Sequence, residues 1–163
     1  MKLYGTLLNR LIEGIDFTNG NIEVGTGATE VSYSDRHAYE VIAVTGPNHF
    51  TIRRMKAIPT GEHMTNTWKL ESDKTQPTLN IERINGVFYE VSYITKEKVM
   101  KRAEEALKEI FVPNVPIERA IDYITMRLTA KQKERVLNGK QVKLKRKINL
   151  AVGVQEEYFD YNF

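Results

Sequence analysis

Leu79-Asn80-Ile81-Glu82-Arg83-Ile84-Asn85-Gly86-Val87-Phe88-Tyr89-Glu90-Val91 decides the fold class. Two strand-like runs flank Asn85-Gly86, a pair that tolerates the positive φ a type I′ turn demands, so the stretch reads as a β-hairpin. Upstream, residues 39–44 and 50–55 flank Thr45-Gly46-Pro47-Asn48 and read as a second hairpin with a longer loop. Residues 68–70 form a short strand candidate. Residues 24–33 contain Gly25 and Gly27, which suit a bend or bulge. Before them, Gly20-Asn21 marks a turn, and Leu3, Leu7, Leu8, Leu11 and Ile12 fall at helical spacing up to Gly14.

Downstream the hydrophobic period changes from strand to helix. Val99, Ala103, Ala106, Leu107 and Ile110 make one helical face within 95–111, which Pro113 and Pro116 end. Ile117, Ala120, Ile121, Ile124 and Leu128 make a second helix, with Pro116 suited to its first turn. Thr129 suits the cap of a third that stops at Asn138-Gly139. Val142, Leu144, Ile148, Leu150 and Val152 then alternate with polar residues as one long strand, with Arg146 on the apolar parity. The expectation is an α+β fold in a single domain over 1–163. It comprises a helix at 1–14 and a β body over 22–94, either a twisted antiparallel sheet or a small partly open β-barrel. A helical insertion at 95–139 precedes the closing strand and aromatic tail of 140–163.

Composition narrows the function. There is no cysteine, which excludes disulfides, thiolate metal sites and cysteine nucleophiles. The N-terminal apolar run is broken by Asn9, Arg10 and Glu13, so it reads as neither signal peptide nor membrane span, and the cytoplasm is the expected location. The net charge of +3 conceals segregation: residues 1–94 carry −2, residues 95–148 carry +8 and residues 149–163 carry −3. Such an asymmetry suits an electrostatically directed partner or a set of solvated helices.

Ser34-Asp35-Arg36-His37 is the one enzyme-like cluster. On an extended strand Asp35 and His37 share a face, as an orienting acid and a base would. A polar turn between apolar strands is the favoured reading, with a ligand contact through Asp35, Arg36 and His37 as a third. His49, beside Pro47-Asn48, reads as a loop residue. Neither it nor His63 has regular spacing to His37 or to a carboxylate, so no metal site and no cofactor are expected. Gly25-Thr26-Gly27-Ala28-Thr29 lacks the Lys-Ser/Thr ending of a phosphate loop and the third glycine of a dinucleotide fingerprint, and it reads as strand entry. Phe50, Trp68 and Phe88 read as core, and the tail aromatics as cover for a sheet edge.

The basic stretch at 129–147 carries the functional expectation. Lys131, Lys133, Arg135, Lys140, Lys143, Lys145, Arg146 and Lys147 stand against a single acid, Glu134. On a strand Lys143, Lys145 and Lys147 project from one face at about 7 Å intervals, a row able to follow phosphates. Protection of an exposed sheet edge by lysine is the competing reading.

Val24-Gly25-Thr26-Gly27-Ala28-Thr29-Glu30, then Tyr33-Ser34-Asp35-Arg36-His37-Ala38-Tyr39-Glu40-Val41-Ile42, resembles the start of a group of small bacteriophage and mobile-element proteins. Gly153-Val154-Gln155-Glu156-Glu157-Tyr158-Phe159-Asp160-Tyr161-Asn162-Phe163 is similar to that group's tail. The resemblance covers the two ends, and 95–147 departs from it. It implies a viral or mobile-element origin and a small β fold, but no activity. The expectation is therefore a non-enzymatic protein that contacts nucleic acid through the basic helix–strand segment. The alternatives are an inhibitor of a bacterial defence nuclease in the manner of anti-CRISPR proteins, bound to a host protein, or a sponge for an anionic small molecule.

Overall fold

The computed structural model describes residues 22–32, 34–62, 67–110 and 114–159. The chain forms two compact units, Met1–Val91 with Lys145–Phe163 and Ser92–Leu144, called here the sheet unit and the helical unit. The helix expected at 1–14 lies outside the described residues.

The strands are β1 (Gly27–Val31), β2 (Arg36–Gly46), β3 (His49–Arg54), β4 (Lys56–Pro59), β5 (Trp68–Glu71), β6 (Thr78–Ile84), β7 (Val87–Ile94), β8 (Val142–Ile148) and β9 (Leu150–Val152). Seven of them form one sheet in the order β8-β7-β6-β3-β2-β1-β9. β8 and β9 stand at opposite ends of that order, yet only Asn149 separates them in sequence. At about 3.3 Å per strand residue the two ends must lie close together. The sheet is consequently curled into a half-barrel, an α+β architecture dominated by β structure. Residues 142–152 are therefore two strands rather than the single one expected. Alternation runs unbroken through the kink, with Ile148 and Leu150 buried and Asn149 exposed, so the pattern held no mark of the change of partner.

Asn85 and Gly86 have φ of 50° and 77°, and β6 pairs with β7 around them as the hairpin reading required. β2 and β3 pair antiparallel around Pro47-Asn48, with register shifts after Val41 and Val44 that add twist where the sheet curls. His49 opens β3 rather than sitting in the loop, and faces Glu82 on β6. Gly25, at φ 92°, serves a turn closed from Thr26 N–H to the Glu23 carbonyl, and β1 then runs without a bulge. Sequence pattern missed β4, which pairs with β5 as a separate two-stranded ribbon. Its four residues include a proline that cannot donate to a ladder, and so lacked a strand signature.

Ala28, Tyr39, Val41, Phe50, Ile52, Ile81, Phe88, Ile148, Leu150 and Val152 form the core on one face of the sheet. Phe50 and Phe88 meet edge to face, 5.8 Å apart at 85°. Burying each large apolar side chain stabilises the fold by about 1.5–3 kcal/mol.

The helical unit contains α1 (Lys96–Glu109), α2 (Ile117–Thr125) and α3 (Ala130–Leu137). Thr95 caps α1 by accepting from Lys98 N–H. α2 stops at Thr125, short of the Leu128 expected from periodicity. Leu128 still packs on the core, which consists of Ile94, Val99, Val136 and Val142 with Ile121, Ile124 and Leu144. α3 begins in a capping box: Thr129 accepts from Gln132 N–H, and the Gln132 side chain accepts from Thr129 N–H. It ends at Gly139, φ 81°, as its sequence foretold. No described helix is long and apolar enough to cross a membrane.

Candidate functional site

Ser34 and Asp35 lie in the turn that leads into β2, and Arg36 and His37 are the first residues of that strand. Ser32 N–H and Oγ both donate to the Asp35 carbonyl, and Asp35 N–H donates to Ser32 Oγ. The carboxylate at His37 comes from Glu157, far along the chain. Arg54 Nη1 and Nη2 donate to Glu157 Oε2 and Oε1, each at 2.6 Å, and Ala38 N–H donates to Oε2 at 3.0 Å. His37 Nδ1 lies 3.0 Å from Arg54 Nη2 and 3.4 Å from Glu157 Oε1. One ring nitrogen cannot accept from the arginine and donate to the carboxylate at once.

This ion pair is the centre of a latch that holds residues 153–158 on the sheet. Thr29 Oγ1 donates to the Val154 carbonyl and accepts from Glu156 N–H, while Gln155 Nε2 donates to the Tyr39 carbonyl. Arg36 and Tyr158 exchange both backbone hydrogen bonds, and the Arg36 guanidinium lies 5.0 Å from the Tyr158 ring centre. Residues 27–32 and 34–42 therefore meet residues 153–158 in one hydrogen-bonded assembly. Tyr158 is built into it. Tyr161 and Phe163 lie outside the described residues, as does His63.

Burial alone would raise the Glu157 pKa, but the Arg54 hydrogen bonds, Ala38 N–H and the Arg54 charge outweigh it and hold the carboxyl below its ordinary value. Beside it, Tyr39 donates to Glu30 at 3.0 Å, and burial together with the Glu30 charge raises the phenol well above its usual range. Arg146 reaches this face too, 2.6 Å from Glu90 and 3.9 Å from Glu30. The cations and acids of the cluster are thus spent largely on one another.

The eight basic residues of 129–147 differ in their surroundings. In the sheet unit, Lys145 pairs with Glu82 at 2.8 Å and Arg146 with Glu90, while Lys147 is exposed without an acid partner among the described residues. In the helical unit, Lys133 pairs with Asp122 at 2.6 Å. Lys131, Arg135 and Lys140 are exposed and have no acid partner among the described residues, and Lys143 is exposed on β8. On α3, Lys131, Arg135 and Asn138 lie at i, i+4 and i+7, one exposed helical face.

The helical unit holds a second feature that pattern reading passed over. Arg102, Tyr123, Ile124, Met126 and Arg127 line a concavity of about 270 Å³. Tyr123 and Met126 are 73% and 67% exposed. Their signal was present in the sequence: both are large apolar-bodied residues that fall off the buried face of α2. Among the described residues no group of three His, Asp or Glu side chains could hold a metal. No family model matches the chain, and neither a curated protein nor a solved structure is significantly similar to it.

Proposed function

We propose that the protein is a non-enzymatic nucleic-acid-binding protein whose contacts are made chiefly by the helical unit. The observation that carries this reading is where the arginines lack partners. Arg36, Arg53, Arg54, Arg83 and Arg146 of the sheet unit all hold hydrogen bonds or ion pairs. The guanidinium groups of Arg102, Arg119, Arg127 and Arg135 of the helical unit hold none among the described residues. An arginine already matched to a carboxylate contributes little to phosphate neutralisation, because binding would have to break a pair first. The unmatched cations are available. α2 and α3 are joined by the four residues Met126, Arg127, Leu128 and Thr129, the connection length of a helix-turn-helix, and the capped α3 carries Lys131 and Arg135 outward.

The binding segment is the one expected from charge, with a changed weighting within it. Lys131, Arg135 and Lys140 of the helical unit lead; Lys133, Lys145 and Arg146 are partly neutralised by Asp122, Glu82 and Glu90. Each phosphate contact adds about −0.9 to the slope of log K against log salt on duplex DNA. Three contacts give a slope of about −2.7, whereas all eight cations would give about −7. Anisotropy of a labelled oligonucleotide, titrated with salt, measures it. Absence of binding at low ionic strength, or binding unchanged in Lys131→Glu/Arg135→Glu/Lys140→Glu, overturns the proposal.

An origin in a bacteriophage or mobile element is part of the same proposal. The joining of residues 34–42 to 153–158 through Glu157 supports treating the two resembling segments as one structural element. Retention of a host protein in a pull-down after nuclease treatment would favour the defence-inhibitor alternative instead.

A further inference from the structure

We infer that the concavity between α1 and the end of α2 is a stacking site for an unpaired nucleobase, and that the protein therefore prefers single-stranded nucleic acid to duplex. This rests on the nucleic-acid reading above and names its substrate class. Three observations meet at the site. Tyr123 offers a large exposed aromatic surface in a helix whose other apolar residues turn inward, and Met126 lies one turn on with a polarisable thioether. Ile124 both lines the concavity and packs on the core of the unit, so it supplies an anchored apolar floor. Arg102 and Arg127 line the same space from α1 and from the turn after α2, and neither guanidinium has a hydrogen-bond or acid partner among the described residues.

An aromatic face flanked by two unmatched guanidinium groups is suited to a planar base bonded to a phosphodiester. The base stacks on the ring, while the phosphate takes the charge-assisted hydrogen bonds. At about 270 Å³ the space is too small for most drug-sized ligands, whose pockets run from about 300 Å³ upward, and suits one base with its sugar. Duplex bases are stacked on their neighbours and cannot enter. An acidic peptide satisfies the arginines but has no ring for Tyr123 unless it also carries an aromatic.

The test uses the full chain and three ligands: a labelled single-stranded 12-mer, the same sequence as a duplex, and AMP followed by amide chemical shifts. The wild-type protein should bind the single strand more tightly than the duplex, and AMP should shift amides around Tyr123 and Arg127. Tyr123→Ala should weaken single-strand binding roughly ten-fold or more and leave duplex binding unchanged, while Tyr123→Phe retains stacking and preference. Arg102→Gln/Arg127→Gln should abolish the AMP shifts. Equal loss on both strands in Tyr123→Ala, or no loss, overturns the stacking site while leaving the proposed function intact. AMP binding at these residues without oligonucleotide binding overturns the proposed function and leaves the base site standing. Neither AMP shifts nor oligonucleotide binding overturns both, and shifts produced by a poly-glutamate peptide but not by AMP replace the base with a protein ligand.

Discussion

Replacing Glu157 with alanine tests whether the tail is held by one ion pair. Glu157 is 8% exposed and accepts three strong hydrogen bonds, two from Arg54 and one from Ala38 N–H, at 2.6, 2.6 and 3.0 Å. Removing one partner of a fully buried pair costs about 3–5 kcal/mol, because the other charge is stranded. Arg54 is a fifth exposed and keeps its bond to the Ala38 carbonyl, so water recovers part of that cost. The expected loss is about 2–3 kcal/mol, and it should fall first on the tail. Hydrogen exchange at the Tyr158 and Glu156 amides, which donate to Arg36 and Thr29, should accelerate by a factor of about 30–150 in Glu157→Ala, since about 1.4 kcal/mol is ten-fold. The β6–β7 hairpin should change less. Acid should act on the same bond. A carboxyl depressed in the folded state contributes stability that is present above its unfolded pKa of about 4.3 and lost as pH falls through the lower folded value. Wild-type protection of the tail should therefore fall below about pH 4, and Glu157→Gln should lack that component. Tail protection in Glu157→Ala equal to wild type at pH 7 would refute the argument.

Thr129→Ala removes the hydroxyl half of the capping box, leaving the backbone N–H at 129 to Gln132, and should destabilise the helical unit by about 1 kcal/mol, seen as a lower urea midpoint. Gly27→Ala places a Cβ 2.5 Å from Gln155 Cγ, so the side chain must swing away and lose its bond to the Tyr39 carbonyl. A cost of about 1–2 kcal/mol is expected, with faster exchange in residues 153–158. Gly86→Ala puts an L side chain at φ 77° in the β6–β7 turn, which should cost about 1–2 kcal/mol in the same denaturation experiment. Arg146→Gln, which removes a cation already held by Glu90, should change the salt slope of oligonucleotide binding by less than Arg135→Gln does, as read by anisotropy.

Much of the fold was legible because it is encoded locally. Asn85-Gly86 specifies its hairpin through the φ values of two adjacent residues. Thr129 and Gln132 specify the start of α3 through bonds three residues apart. Gly139 specifies its end, and helical spacing placed Val99 and Ile121 on buried faces. The charge segregation and the candidate basic residues were equally open to counting.

The remainder depends on partners distant in sequence. Residues 142–152 alternate through Asn149 with no break at the kink, and only the closing of the sheet divides them between β7 and β1. His37 met Glu157 across a sequence separation of 120, and Arg54 met it across one of 103. Lys145 and Arg146 looked as available as Lys131 and Arg135 until β6 and β7 brought Glu82 and Glu90 to them. Sequence alone determined most of the strands, helices and turns, though not β4 or the division of β8 from β9, and where positive charge accumulates, because hydrogen bonds within a few residues and side-chain period set those features. Tertiary structure decided which charges are already neutralised, that the tail is a latch, and that Tyr123 stands beside two unmatched arginines. Those outcomes are fixed by the packing of segments that have no local reason to meet.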